Sequence, residues 1–218
     1  MSQEQSGLRL DLGCGSLKKE GTIGVDVQPL PGVDYVVNLD SEPLPFADRS
    51  VVYVHSSHFL EHTANPGRIF AEISRVCANN AQIELWTPYA WSNMAFIFEH
   101  RNYFTEEIYT HICVKFIDFW EKILGARWIL NGFHYVIEPE TLEYLKHNRI
   151  SVDFALKHLH NIAWEFGTYI TVSRDEHPAE PPPVRRSFST GRGGPRYELY
   201  PARYALKLRD NYKVRNED

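Results

Sequence analysis

Residues 8–16, Leu-Arg-Leu-Asp-Leu-Gly-Cys-Gly-Ser, constrain this chain more than any other stretch. Leu8, Leu10 and Leu12 alternate with Arg9 and Asp11, the two-residue period of a strand, and the pattern stops at Gly13 and Gly15. A glycine turn at the carboxyl end of a first strand lets a ligand approach bare backbone, because no Cβ stands in the way. In open α/β sheets, that crevice is where nucleotide-like ligands bind. Two glycines after a strand also make an ordinary tight turn, so the residues downstream have to decide.

They supply a series of strand ends. Residues 22–27 read as a second strand ending near Asp26, residues 33–39 as a third followed by Asp40, and residues 51–56 as a β-branched fourth. Ile69, Phe70, Ile73 and Val76 recur at helical spacing after Pro66, which suits a first helical turn. A fifth strand, residues 82–87, stops at Pro88. Later helices are expected around residues 105–123 and 139–148, and later strands at residues 125–128 and 167–173. Strands alternating with crossovers predict an α/β fold, a mainly parallel sheet with helices on both faces. Asp26, ending the second strand beside the glycine turn, is placed to accept both ribose hydroxyl protons. A polar Asn38-Leu39-Asp40 ends the next strand, and such features at three consecutive strand ends do not readily coincide by accident.

The rest of the composition narrows the class. A chain of 218 residues holds one sizeable core and a tail. Its net charge of −5 speaks against a general nucleic-acid binder. No run of eighteen apolar residues suggests a membrane span, and the first residues lack the basic and apolar regions of a signal peptide. Three widely spaced cysteines (Cys14, Cys77, Cys113) suggest neither a disulfide framework nor a zinc site, as expected of a reduced cytoplasmic protein. From Val184 onward nine Lys and Arg stand against four acids, a charge of +5, which leaves −10 for the remainder. Residues 1–175 are therefore read as one domain, and residues 176–218 as a proline-rich linker and basic tail. Such a tail suits docking on its own acidic body, or on a neighbouring subunit in a homo-oligomer. A single Gly-Arg-Gly-Gly supports an Arg/Gly nucleic-acid arm only weakly.

The chain resembles the class I S-adenosylmethionine-dependent methyltransferases. More narrowly, it is similar to methyltransferase-domain proteins with Leu-Asp-Leu-Gly-Cys-Gly (residues 10–15), Gly-Val-Asp (24–26), Pro-Leu-Pro-Phe (43–46) and His-x-Leu-Glu-His (58–62). Glu-Ile-Ser-Arg-Val at 72–76, Trp-Thr-Pro-Tyr at 86–89 and His-Arg-Asn-Tyr-Phe-Thr at 100–105 also fit. The resemblance covers residues 8–105 well and reaches residue 173 loosely. It implies a Rossmann-like class I methyltransferase fold, with S-adenosylmethionine as cofactor, S-adenosylhomocysteine as product, and no metal. Asp11 and the Gly13-Cys14-Gly15 backbone would face the methionyl part, Asp26 would hold the ribose, and Asn38, Leu39 and Asp40 would border the adenine. Ser56, Ser57 and His58 would lie near the sulfonium. There are two departures. Only thirteen positions separate Gly13 from Asp26, with no third glycine at position 17, and the Lys-Pro-Gly-Gly usual before the fifth strand is replaced by Cys-Ala-Asn-Asn-Ala at 77–81. The first departure makes the cofactor pocket more open.

For a hydroxyl acceptor a base would help, and His58 and His100 are the candidates. Tyr89, Trp91, Arg101 and Tyr103 are the candidate acceptor contacts, an aromatic near a sulfonium gaining from cation–π attraction. His58-Phe-Leu-Glu-His62 also matches a zinc-hydrolase pattern, but a single motif of this kind has a high false-positive rate, and His62 is expected to be structural. No Asn/Asp-Pro-Pro-Tyr/Phe follows the fourth strand and no Pro-Cys motif occurs, which argues against amino-methylation of nucleic acids and cytosine C5 methylation. The expected function is O-methylation of a small molecule, sugar or natural-product intermediate. A peptide, protein or RNA acceptor, and a non-catalytic scaffold on the same fold, stay open as alternatives.

Overall fold

In the computed structural model, residues 7–176 and 183–192 are described, and the basic tail beyond Arg192 lies outside them. Eight strands form one sheet: β1 (Leu8–Leu12), β2 (Ile23–Asp26), β3 (Tyr35–Val36), β4 (Val51–Ser57), β5 (Cys77–Pro88), β6 (Arg127–Ile137), β7 (Ala163–Ser173) and β8 (Arg185–Ser189). Their spatial order is β3-β2-β1-β4-β5-β7-β6-β8. All pairings are parallel except those of β7, which runs antiparallel to both neighbours. The helices are α1 (Pro66–Val76), α2 (Glu106–Thr110), α3 (Ile117–Leu124), α4 (Pro139–His147) and α5 (Val152–His158). This is the expected class, a mostly parallel open sheet with helices. Among the described residues, no helix is long and apolar enough to cross a membrane.

The helix α1 follows its sequence closely. The Asn65 side chain accepts from the Arg68 N–H, Pro66 opens the first turn, and Ile69, Phe70, Ile73 and Val76 are buried. Phe70 meets Trp128 of β6 at 5.4 Å, and the Trp128 indole N–H donates to Ser74 Oγ. The single helix expected over residues 105–123 is three pieces. Between α2 and α3 lies a π-helical turn, His111–Lys115, and Phe116 then leaves helical geometry at φ −128°, ψ 44°. The break lets Tyr109 enter the core, where its ring meets Phe70, Phe104, Phe133 and Phe166.

These contacts all fall on one face of the sheet. On the other face, where the general reading of helices on both faces would place cover, the first two crossovers are loops, residues 13–22 between β1 and β2, as the short count from Gly13 to Asp26 implied, and residues 27–34 between β2 and β3. Neither is long enough for a helix of ordinary length plus its two turns. The side chains there obey the strand period: Asp11 pairs in register with His55, His55 with Glu84, and Glu84 with Tyr169. The result is a polar face on strands whose alternate residues are apolar core.

Three further differences have local causes. β6 and β7 are each eleven residues long, against the expected residues 125–128 and 167–173, and in β6 a bulge between Leu130 and Gly132 breaks the alternation that a sequence reading follows. α5, begun by the Ser151 hydroxyl accepting from the Phe154 N–H, was not expected at all. The sheet also continues past residue 175. β8 pairs with the edge of β6, and Gly132 makes room for it, since a Cβ there would sit 2.6 Å from the Arg185 carbonyl oxygen.

Candidate active site

The carboxyl ends of β1, β2, β4 and β5 and the start of β7 lie at the same edge of the sheet, the edge at which open α/β sheets form a ligand crevice. Gly13 and Gly15 follow β1 in the left-handed region, at φ +66° and +55°. A Cβ on Gly13 would stand 2.4 Å from the Phe59 side chain, so both conformation and space require glycine there. The Gly13 N–H donates to the Val25 carbonyl (2.8 Å), locking the turn onto β2. Cys14 is fully buried, and burial together with Asp11 and Asp26 pushes its thiol up to about 11, which makes it a packing residue and not a nucleophile. The Gly15 N–H donates to Asp26 Oδ2 and the Gln28 N–H to Asp26 Oδ1, both at 2.9 Å. A carboxylate offers about four lone-pair directions, so half-buried Asp26, with one hydrogen bond to each oxygen, keeps spare acceptor capacity.

The other expected cofactor residues divide. Asp11 is buried, but its two oxygens are engaged: Oδ2 accepts from the Lys19 N–H (2.7 Å) and Oδ1 contacts His55 Nδ1 (2.7 Å). It fastens the shortened crossover to β4. Asn38 is exposed and its side-chain oxygen accepts from the Asp40 N–H, while Leu39 is buried and its carbonyl accepts from the Arg68 guanidinium. Asp40 Oδ1 accepts from the Ala64 and Asn65 N–H groups and so ties this loop to the start of α1. The Ser56 side chain shares the core face with Leu12 and Leu85, and its Oγ is buried without a hydrogen-bond partner. Ser57 points to the polar face.

His58, the first residue after β4, has φ +53° and donates its N–H to the Trp86 carbonyl. Its Nδ1 lies 3.2 Å from Glu61 Oε1 and its Nε2 lies 2.6 Å from Glu165 Oε2. Burial pulls its pKa down, but the Glu165 and Glu61 carboxylates outweigh it and raise it to about 9. His58 is therefore an imidazolium at neutral pH, with both nitrogens donating. That removes the lone pair a general base needs, and the expected base role does not suit it in this arrangement. Glu165 opens β7 on the crevice side. Burial favours its neutral form, yet His58 and Arg192 hold it below the usual carboxylate range.

Arg192 comes from the segment after β8. Its Nε and Nη2 each donate to Glu165 at 2.8 Å, and Nη2 also donates to Ser57 Oγ at 3.1 Å. Its guanidinium carbon stands 3.8 Å from the centre of the Trp86 ring. Trp86 is held in turn by its N–H to Glu84 Oε1 (2.7 Å), and Gly167 leaves room for it, since a Cβ there would be 2.7 Å from the indole. Glu84 also accepts from Lys19 and Tyr53. These donors outweigh the effect of burial and hold its carboxyl down at about 2.

His100 lies in the loop after β5, which is stapled to the Leu60–His62 turn: Arg101 and Asn102 donate their N–H groups to the Glu61 carbonyl, and the Asn102 amide donates to the Leu60 and Thr63 carbonyls. His100 Nδ1 is 3.1 Å from the Ala95 carbonyl, its ring meets His62 edge-on at 4.7 Å, and burial holds its pKa below the ordinary value. Ligating atoms of Glu61, His62 and His100 lie within 4.8 Å of one another, the one such group among the described residues. His58 is not in it, so the zinc-hydrolase pattern is not assembled as a unit.

The acceptor contacts fare unevenly. Tyr89 belongs to the core, packed on Tyr135 and Phe166 with its hydroxyl donating to the Leu156 carbonyl, because its strand-end position turns it to the helix-covered face. Trp91, Arg101 and Tyr103 are exposed, and Tyr103 packs on Phe96 at 5.2 Å. The residues the sequence reading missed are Glu84, Trp86, Glu165 and Arg192. For Glu165 there was a signal, a lone charge in the apolar run Ala-Trp-Glu-Phe-Gly. For Arg192 there was none beyond a basic stretch.

Residues 10–84 match the model of a family described as "Methyltransferase domain". A comparison with curated proteins finds no match. Among solved structures, a chain of the Haloferax volcanii complex that contains the Trm112 methyltransferase activator superposes with TM-score 0.51 at 16% identity, covering 82% of this chain and 87% of that one. A SAM-dependent methyltransferase from Archaeoglobus fulgidus gives 0.51 at 16% identity, covering 76% and 86%. One from Methanosarcina mazei gives 0.50 at 15%, covering 79% and 95%. At these identities the likeness concerns the fold. Sheet, glycine turn and family match agree: the chain has the class I S-adenosylmethionine-dependent methyltransferase fold, and its residues 10–84 match the methyltransferase-domain model.

Proposed function

We propose that this protein is an S-adenosylmethionine-dependent methyltransferase that methylates a hydroxyl of a small molecule, a sugar or a natural-product intermediate. The observation that carries the reading is the contact between the Gly15 N–H and Asp26 Oδ2. It sets a carboxylate with spare acceptor capacity beside a turn stripped of side chains, which fits a ribose and the chain that leaves it. S-adenosylmethionine supplies, when bound, an electrophilic methyl group on a sulfonium.

The chain's own residues bind, orient and move a proton. Asp26 holds the ribose hydroxyls, the Gly13–Gly15 backbone receives the methionyl end, and the 38–40 loop borders the adenine. Ser57, His58 and Glu165 form the acceptor side of the crevice, where the imidazolium and its carboxylate fix orientation. His100, with its pKa lowered and Nδ1 donating to Ala95, is the neutral imidazole that keeps a lone pair on Nε2 for an acceptor hydroxyl's proton. His58 is then a positioning residue, and the exposed Trp91, Arg101 and Tyr103 form the outer rim.

Calorimetry with S-adenosylhomocysteine tests the cofactor half directly. Wild-type protein should bind in the micromolar range. Asp26→Ala, which removes hydrogen bonds to a charged group, should weaken binding roughly ten- to hundredfold. No binding by the wild type would sink the proposal. Mass spectrometry of candidate hydroxyl compounds for the gain of one CH2 tests the acceptor half.

A further inference from the structure

β8 contributes almost nothing to the core. Its five side chains are exposed or half-exposed, and β6 is the one strand it pairs with. Its effect is to deliver Arg192 along the crevice edge into a site made by residues far away in sequence. Of the Arg192 side chain only 10% is exposed. The guanidinium lies on the Trp86 face, both oxygens of Glu165 receive it, and Ser57 Oγ caps it.

Aromatic floor, bidentate carboxylate and hydroxyl together make a slot shaped for a planar or tetrahedral cationic nitrogen group. The charges agree. Glu165 is only 6% exposed and both of its oxygens already receive a cationic fork, so the slot is a place for positive charge. Its position is informative too. Ser57 ends β4, adjacent to β1 and its glycine turn, and Glu165 pairs with Pro88 at the end of β5. The slot thus lies one strand from the proposed cofactor pocket, on its acceptor side.

The tether favours exchange over permanence. Arg192 follows Thr190 and Gly191, a Cβ on Gly191 would meet nothing within 4 Å, and β8 is held by its single ladder to β6 and by polar contacts of His134 with Ser187 and Ser189 and of Glu106 with Arg186. An edge strand with so little buried apolar surface opens locally at small cost. We propose that this slot anchors a cationic nitrogen group, amine or guanidinium, carried by the acceptor, and that Arg192 is a built-in competitor for it. The proposal rests on the methyltransferase reading for the word acceptor, while the slot's ligand class stands on its own contacts.

The test uses the full chain and two probes of equal shape, butylguanidine and its neutral counterpart butylurea, followed by calorimetry and tryptophan fluorescence. Arg192→Ala should bind butylguanidine at least tenfold more tightly than wild type and should ignore butylurea. Arg192→Lys, which keeps the charge but loses the bidentate fork, should fall between them and serves where the alanine variant does not fold. Adding Glu165→Gln to either variant should abolish the gain. Equal butylguanidine binding by wild type and both variants, or equal binding of the two probes, overturns the proposal. S-adenosylhomocysteine is titrated into the same samples. A slot that binds butylguanidine in a protein that ignores S-adenosylhomocysteine leaves the ligand class standing and removes the methyltransferase reading, whereas the reverse removes the slot alone.

Discussion

The two faces of the sheet are built on different principles. On one, α1, α2 and α3 cover Leu12, Leu85, Trp128, Phe133 and Phe166, and rings fill the space between layers. On the other, Asp11–His55, Lys19–Glu84–Tyr53 and His58–Glu165–Arg192 run across the strands as successive hydrogen-bonded groups. The cause is chain length. Loops of residues 13–22 and 27–34 leave no helix between the first three strands, so side chains on that face must be satisfied by one another. What the difference teaches is that stability and site chemistry are separated by face. The apolar face holds the sheet, and the polar row ends in the candidate site.

If that division is right, the largest loss on mutation comes from the apolar face. Phe166 is fully buried and touches Tyr89, Tyr109, Phe133 and Tyr135. Phe166→Ala should cost about 3–5 kcal/mol in urea unfolding, the usual range for a buried aromatic that leaves a cavity. A loss under about 1 kcal/mol would mean that the helix-covered face is not the stabilising one.

The polar row should give a smaller but definite loss. Asp11→Ala removes the acceptor for both the Lys19 N–H and His55, leaving two donors in a half-buried place. The expected cost is about 2 kcal/mol, most of it the penalty for unmet donors and not lost attraction. His55→Ala together with Asp11→Ala should cost less than the two single changes summed, because the second change removes one of the stranded partners. Strict additivity would show that the row is a set of independent surface contacts.

Much of this plan was legible in residues 8–88 and little of it beyond. Leu8 to Leu12 state both the strand and its polar side, since Arg9 and Asp11 alternate with leucines. Pro66, Ile69, Phe70 and Ile73 state α1. Helices on the second face were expected from the general habit of parallel sheets, although the short count from Gly13 to Asp26 already argued against one of them. The acceptor side was not legible because its partners are remote: His58 and Glu165 are 107 positions apart, and Ser57 and Arg192 are 135 apart. β8 has no buried residue to give a strand pattern, so Arg-Arg-Ser-Phe-Ser reads as a basic tail. The bulge in β6 hid the strand that holds it.

The smallest effect is also the most specific to the site, and it has a definite sign. His58 has a folded pKa of about 9 against 6.5 for a free imidazole. A group whose pKa is raised on folding stabilises fully below its unfolded value and loses that contribution as pH rises through the folded one. Unfolding free energy should therefore fall between about pH 6.5 and pH 9. The ring faces Glu61 and Glu165, with Arg192 beyond, and is three-tenths exposed, so solvent screening limits the change to on the order of 1–2 kcal/mol. His58→Gln keeps hydrogen-bonding capacity without the titration and should flatten the curve across that window. Subtracting the two curves isolates this residue from the buried thiols, whose raised pKa values act at higher pH. A wild-type curve as flat as the variant's would show that the two carboxylates do not hold the imidazolium, and the polar row would then end at Glu84 and not in the site.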